Sequence, residues 1–141
     1  MVAAIMVLAL APAFLSSAEG AAHRMHVTTK STRFVPNIRS VQSTLNQCRG
    51  PVVWNSHGEG APWLMFEHNY CGGSWALHTH AGDRLQIRNG PLAGTWRATG
   101  KVRLVNRGAM VSTTRGLGEL VVQTCLFSSS KMRLVGFSRV S

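Results

Sequence analysis

The sequence predicts an all-β fold: a small closed β-barrel with short helices or turns and an irregular N-terminal arm. Three observations carry that expectation. Short apolar or alternating stretches recur after residue 50, separated by turn signals. Gly (14) and Pro (5) punctuate the chain, while Val and Thr are spread throughout it. Strong helix formers in periodic runs are scarce. At 141 residues the chain suffices for one domain with a modest core.

Residues 1–22, MVAAIMVLALAPAFLSSAEGAA, read as a signal peptide or membrane-anchor segment. The first fifteen residues are uncharged and apolar, and small residues follow where a signal peptidase could cut. The apolar run is shorter than the roughly 20 residues that span a bilayer. The expected location is the extracellular face of the membrane, the envelope or the medium. Residues 23–50 read as a polar arm or linker, with one short helix over NIRSVQSTLNQC presenting Ile38, Val41 and Leu45 on one side.

Residues 51–141 form the expected barrel domain. PVVWN (51–55) and WLMFEH (63–68) read as strands joined by the loop SHGEGAP. A long connection, with a turn around Trp75 and Leu77, leads to RLQIRN (84–89), whose period-two alternation marks a half-buried strand. TWRATGKVRLVN (95–106) alternates again, with Gly100 marking a bulge or bend. AMVSTT reads as a further strand. ELVVQTC is a buried strand, LFSSSK a loop and MRLVGFSRV the last strand.

All fifteen Lys and Arg lie after residue 22, against four acids there (Glu59, Glu67, Asp83, Glu119), which leaves +11 for that part of the chain. Twelve of the fifteen are Arg. Such a field attracts anionic wall polymers, lipid headgroups or nucleic acid. The basic residues are scattered, so no specific nucleic-acid partner is expected.

The three cysteines are Cys48, Cys71 and Cys125. In an oxidising compartment an odd count leaves one thiol unpaired. Cys48 and Cys71 sit in Gly-containing loop contexts and form the candidate structural disulfide. Cys125 ends an apolar strand and is the candidate nucleophile, which needs a base or a stabilised thiolate. Of six histidines, His68 is best placed, at the end of a strand. His23 and His26 lie in the arm as bystanders. His78 and His80 form a His-x-His pair without an evident third ligand. Arg133, inside the last apolar run, either points outward by alternation or faces the cysteine and stabilises an oxyanion.

These residues resemble the sortases, cysteine transpeptidases of Gram-positive cell surfaces, across roughly two-thirds of the chain. That family orders a strand-ending His, a Gly-Asp before an alternating strand, a Thr-Leu-x-Thr-Cys strand end and an Arg on the last strand. Here stand FEHN with His68, AGDRLQI with Gly82 and Asp83, VVQTC with Cys125, and KMRLVGF with Arg133. Val121 and Val122 replace the family's Thr-Leu, and Glu67 replaces its Gly.

The resemblance implies that Cys125, His68 and Arg133 meet at one barrel mouth as the catalytic set. It assigns Thr124 and Gln123 to substrate binding. The implied reaction cleaves a Leu-Pro-x-Thr-Gly-like sorting signal of a surface protein after Thr and passes the acyl group to an amine. A peptidoglycan precursor or a pilin lysine would serve as acceptor. Asp83 is expected to cap the turn before its strand. No cofactor is expected, and no metal, because four scattered acids cannot assemble a hard-cation site. A cell-wall transpeptidase of the L,D type would carry a His close before the nucleophile, and none lies within forty residues of Cys125. The alternative is a secreted basic β-domain, including a sortase fold without activity, that binds anionic wall polymers or nucleic acid.

Overall fold

A computed structural model of the chain describes residues 23–141; the leader or anchor expected over 1–22 lies outside these residues. The architecture is one eight-stranded sheet curled into a half-barrel. Its strands are β1 (Val27–Lys30), β2 (Arg33–Val35), β3 (Val52–Asn55), β4 (Trp63–Phe66), β5 (Arg84–Ile87), β6 (Gly94–Asn106), β7 (Leu120–Cys125) and β8 (Lys131–Arg139). Their order across the sheet is β1-β5-β6-β8-β7-β4-β3-β2. A helix, α1 (Arg39–Leu45), packs on the outer face. Among the described residues no helix is long and apolar enough to cross a membrane.

The expected irregular arm is corrected here. Residues 27–35 supply both edge strands of the sheet: β1 runs parallel to β5, and β2 runs parallel to β3. Such short polar strands carry little hydrophobic period of their own, and pairing with the core strands makes them extended. Only Ser31 and Thr32 separate them, so Lys30, beside Ile87, and Arg33, beside Val52, are three peptide steps apart. Three steps span at most about 11 Å. The two edges must therefore approach, and the sheet must curl. No ladder joins β1 to β2. Instead Asn89 clamps the seam: the Thr32 amide donates to its Oδ1 at 2.6 Å, and its Nδ2 donates to the Thr32 carbonyl at 2.9 Å.

Curling separates two apolar layers. The inner one gathers Val53, Met65, Leu85, Ile87, Trp96, Val122, Val135 and Phe137. The outer one joins Val52, Trp54, Leu64, Phe66, Val121 and Leu134 to Val41 and Leu45 of α1. Strands covered on both faces read as unbroken apolar runs, which explains VVW and LVV. The helix starts where Asn37 Oδ1 accepts the Ser40 amide at 3.1 Å. It buries Val41 and Leu45, while Ile38 stays exposed.

Within β6 the register shifts between Ala98 and Val102, around Gly100. Gly100 has φ +82, and a Cβ there would lie 2.9 Å from that of Ala81, so glycine is required twice over. AMVSTT is not a strand: Val111–Thr114 form a 3₁₀ turn, held by the Thr113 and Thr114 hydroxyls donating back to the carbonyls of Met110 and Val111.

Asn89→Ala removes both side-chain bonds at the seam. It is expected to lower stability by about 1–3 kcal/mol, read as a shift of the urea midpoint at unchanged slope.

Candidate functional site

The site begins with strand direction. β4 and β7 run parallel, with Phe66 opposite Gln123. The Glu67 amide extends the ladder by donating to the Gln123 carbonyl at 3.2 Å. Both strands thus end at the same rim. His68 and Cys125 each lie two residues beyond the last paired position, Phe66 with Gln123. Phe66 and Gln123 belong to the outer face, so His68 and Cys125 do too. Both line a cavity of about 840 Å³ on that face. Leu64, Phe66 and Leu134 contribute its floor, α1 one wall, and Val105, Arg107 and Val111 the other.

Several bonds fix His68. Its Nε2 lies 3.1 Å from Asn46 Oδ1, just past the end of α1. Gln42 Nε2 donates to that same oxygen at 2.8 Å, which marks it as an acceptor. His68 Nε2 therefore carries the proton, leaving the Nδ1 lone pair as base. The Tyr70 ring stacks on the imidazole at 4.8 Å. A disulfide joins Cys48, beyond α1, to Cys71, three residues past His68. Asn69, buried, donates from Nδ2 to the Cys125 carbonyl at 2.8 Å, tying the two strand ends together. Cys125 is a free, half-buried thiol. Burial, and then the nearby Arg107 charge, push the His68 pKa below its ordinary 6.5.

Arg133 is not part of this assembly. Thr124 pairs with Arg133, and Cys125 pairs with Met132. Cross-strand partners share a face, so Arg133 lies on the inner face with Val135 and Phe137, opposite the thiol. Its Nη2 donates to the Thr79 carbonyl at 3.1 Å, and its Nε is buried without a partner. Met132 occupies the position facing Cys125, and Gln123 Nε2 lies 2.9 Å from its sulfur. Thr124, 1% exposed, turns its unpaired hydroxyl to the inner face by strand alternation, and it lines the cavity together with Gln123.

The arginine that lines this cavity is Arg107, just after β6, whose amide donates to the Ser130 carbonyl at 2.8 Å. Nothing in VNRGAM signalled it in the sequence, because only the fold brings that loop beside the β7–β8 turn.

Glu67, at the family's Gly position, is buried on the inner face. It pairs with Lys30 Nζ at 2.9 Å and accepts from Trp75 Nε1 at 2.9 Å. Asp83 accepts the backbone amide of His80 at 2.8 Å, capping the turn before β5. Comparison with family models, with curated proteins and with solved structures returns no match.

Two outcomes follow. In an NMR titration His68 should show a midpoint below 6.5, moving upward in Arg107→Ala. With its folded pKa depressed, His68 contributes stability that is complete above about pH 6.5 and lost as pH falls through the folded value. Opening the Cys48–Cys71 bond with a phosphine reductant should lower stability by about 2–4 kcal/mol, measured in urea with and without reductant.

Proposed function

We propose that the chain is an exported cysteine transpeptidase of sortase type, acting on Leu-Pro-x-Thr-Gly-like sorting signals. The observation that carries this reading is that the free Cys125 and His68, near the ends of the parallel strands β7 and β4, line one apolar cavity. The curled sheet is read as a short version of the closed barrel of that family, with its seam at Ser31–Thr32. A disulfide in the same chain fits an oxidising compartment outside the cytoplasm.

In this mechanism the apolar cavity takes the Leu and Pro side chains and sets the scissile carbonyl over Cys125. His68 Nδ1 removes the thiol proton as the sulfur attacks the carbonyl carbon. The tetrahedral oxyanion faces Arg107, which takes the role the family pattern had assigned to Arg133. As the C–N bond breaks, His68 returns the proton to the leaving amine, and a thioester remains on Cys125. An incoming amine attacks the thioester, His68 accepts its proton, and the thiol is regenerated protonated. The acceptor is an amine of a peptidoglycan precursor or a pilin lysine. A neutral imidazole, favoured by its lowered pKa, suits the first proton transfer.

Incubating the protein with a panel of sorting-signal peptides should yield an acyl adduct on Cys125 by mass spectrometry. Cys125→Ala should abolish it. Arg107→Ala should lower kcat/KM by about 10²–10³-fold, the loss typical of one oxyanion donor. Arg133→Met should leave the rate of the folded enzyme within a few-fold. The absence of any adduct across the panel would defeat the enzyme reading.

A second reading rests on a different observation. Arg84 and Arg97 face each other across β5 and β6. Like charges directly opposite are destabilising unless an anion lies between them. This favours a basic surface for anionic wall polymers, whose binding would weaken steeply with salt and survive Cys125→Ala.

A further inference from the structure

The expectation of no metal was drawn from the scarcity of acids. The fold assembles a cluster from one arm histidine, one histidine of the His-x-His pair and one carboxylate. His23, His80 and Asp83 each present one ligand atom, all within 4.8 Å of one another. His23 Nε2 lies 3.0 Å from Asp83 Oδ1, and His80 Nδ1 lies 3.9 Å from Asp83 Oδ2. The His23 and His80 rings approach to 4.3 Å between centroids, and the His26 ring is 5.6 Å from that of His23. We propose that His23, His80 and Asp83 form a binding site for a borderline divalent transition metal, zinc foremost, which staples the N-terminal arm to the turn before β5.

The ligand set decides the class of ion. Two imidazoles and one carboxylate suit zinc and its neighbours, and exclude calcium and magnesium, which need oxygen ligands. Around a tetrahedral zinc with bonds of about 2.0–2.1 Å, donor atoms stand about 3.3 Å apart. The His23–Asp83 separation is already shorter than that, and the remaining gap closes by rotating His80, whose side chain is 62% exposed. Asp83 is the fixed point. It is 5% exposed, and its two oxygens are held by the amides of His26 at 2.9 Å and His80 at 2.8 Å. Such outer bonds orient a ligating carboxylate. Burial raises its pKa, but the His26 and His80 amides and the His23 side chain outweigh it, so the carboxyl stays below its ordinary value and ionised.

On binding, the Nε2 proton of His23 moves to Nδ1, and the freed lone pair takes the metal. The fourth position falls to water or to His26. A neighbouring cavity of about 250 Å³, lined by His26, His78 and Thr79, leaves room for either. The basic field of the chain opposes any cation, so affinity must come from coordinate bonds rather than from charge. The ion would join residues 60 positions apart and fix the chain where it enters β1.

The test uses the full chain without an affinity tag, carrying Cys125→Ser so that the free thiol contributes nothing. Zinc is titrated by calorimetry and followed by thermal unfolding. The expected result is one zinc per chain with a raised Tm, weakened about 10-fold or more by His23→Ala and by His80→Ala. Both side chains are exposed enough for the variants to fold, which circular dichroism checks. His57→Ala, an exposed histidine elsewhere, should leave binding unchanged. No saturable one-to-one binding, or binding that survives both His23→Ala and His80→Ala, overturns the proposal.

Discussion

The parallel pairing of β4 with β7 is the constraint on which the site depends. Two strands that run the same way end toward the same rim, so residues at or just past their ends can line one cavity without a long loop. Phe66 is opposite Gln123, and His68 and Cys125, two residues further along each chain segment, line the same cavity. In an antiparallel pair the same two residues would sit at opposite ends of the sheet. Parallel neighbours require a crossover. Residues 69–117, carrying β5 and β6, make that crossover and return the chain across the far side of the sheet.

The alternation that sends His68 and Cys125 outward sends Glu67 and Thr124 inward. Glu67 there is an anchor: its carboxylate binds Lys30 of β1 and the indole of Trp75. A carboxylate 5% exposed is tolerable only because an ammonium and an N–H donor satisfy it. The edge strand β1 is thus held at its C-terminal end by an ion pair, while Asn89 clamps Thr32, two residues on. Gly72 serves the same corner, since its carbonyl accepts from Lys30 Nζ at 2.8 Å and its φ of +105 closes the turn toward Cys71.

The core strands were legible because each is an unbroken or alternating apolar run bounded by Gly, Pro or Asn. β3, β4, β5, β6, β7 and β8 lie where the residues placed them, and Gly100 marks the bulge. The edge strands were not legible. VTTK and RFV are short, and they extend only because β5 and β3 offer open hydrogen-bonding edges. The 3₁₀ turn at Val111–Thr114 hid behind β-branched residues whose hydroxyls bond locally. Cys125 was visible as a strand end, and His68 lies two residues past the end of β4 rather than on it. The His23–His80–Asp83 cluster was not, because nothing in the sequence of the polar arm places His23 beside Asp83, 60 positions away.

Arg133 shows where periodicity stops informing. Alternation in KMRLV says that Arg133 lies opposite Met132 and Leu134. It does not say which face holds the thiol, because that depends on the register across the β7–β8 turn. A slip of one residue would exchange the faces. Three residues prevent that slip. Val135 and Phe137, 1% and 0% exposed, fill the inner core, and turning each out would cost about 1.5–3 kcal/mol. Gly136 lies where any Cβ would meet the Leu117 carbonyl, so a slip that put a side chain in its place could not be accommodated. The register is therefore set by packing far from the thiol. No movement of the 126–130 loop can carry Arg133 around the strand. Of the two arginines it is Arg107, on the other wall, that lines the cavity holding Cys125, and its charge acts on His68.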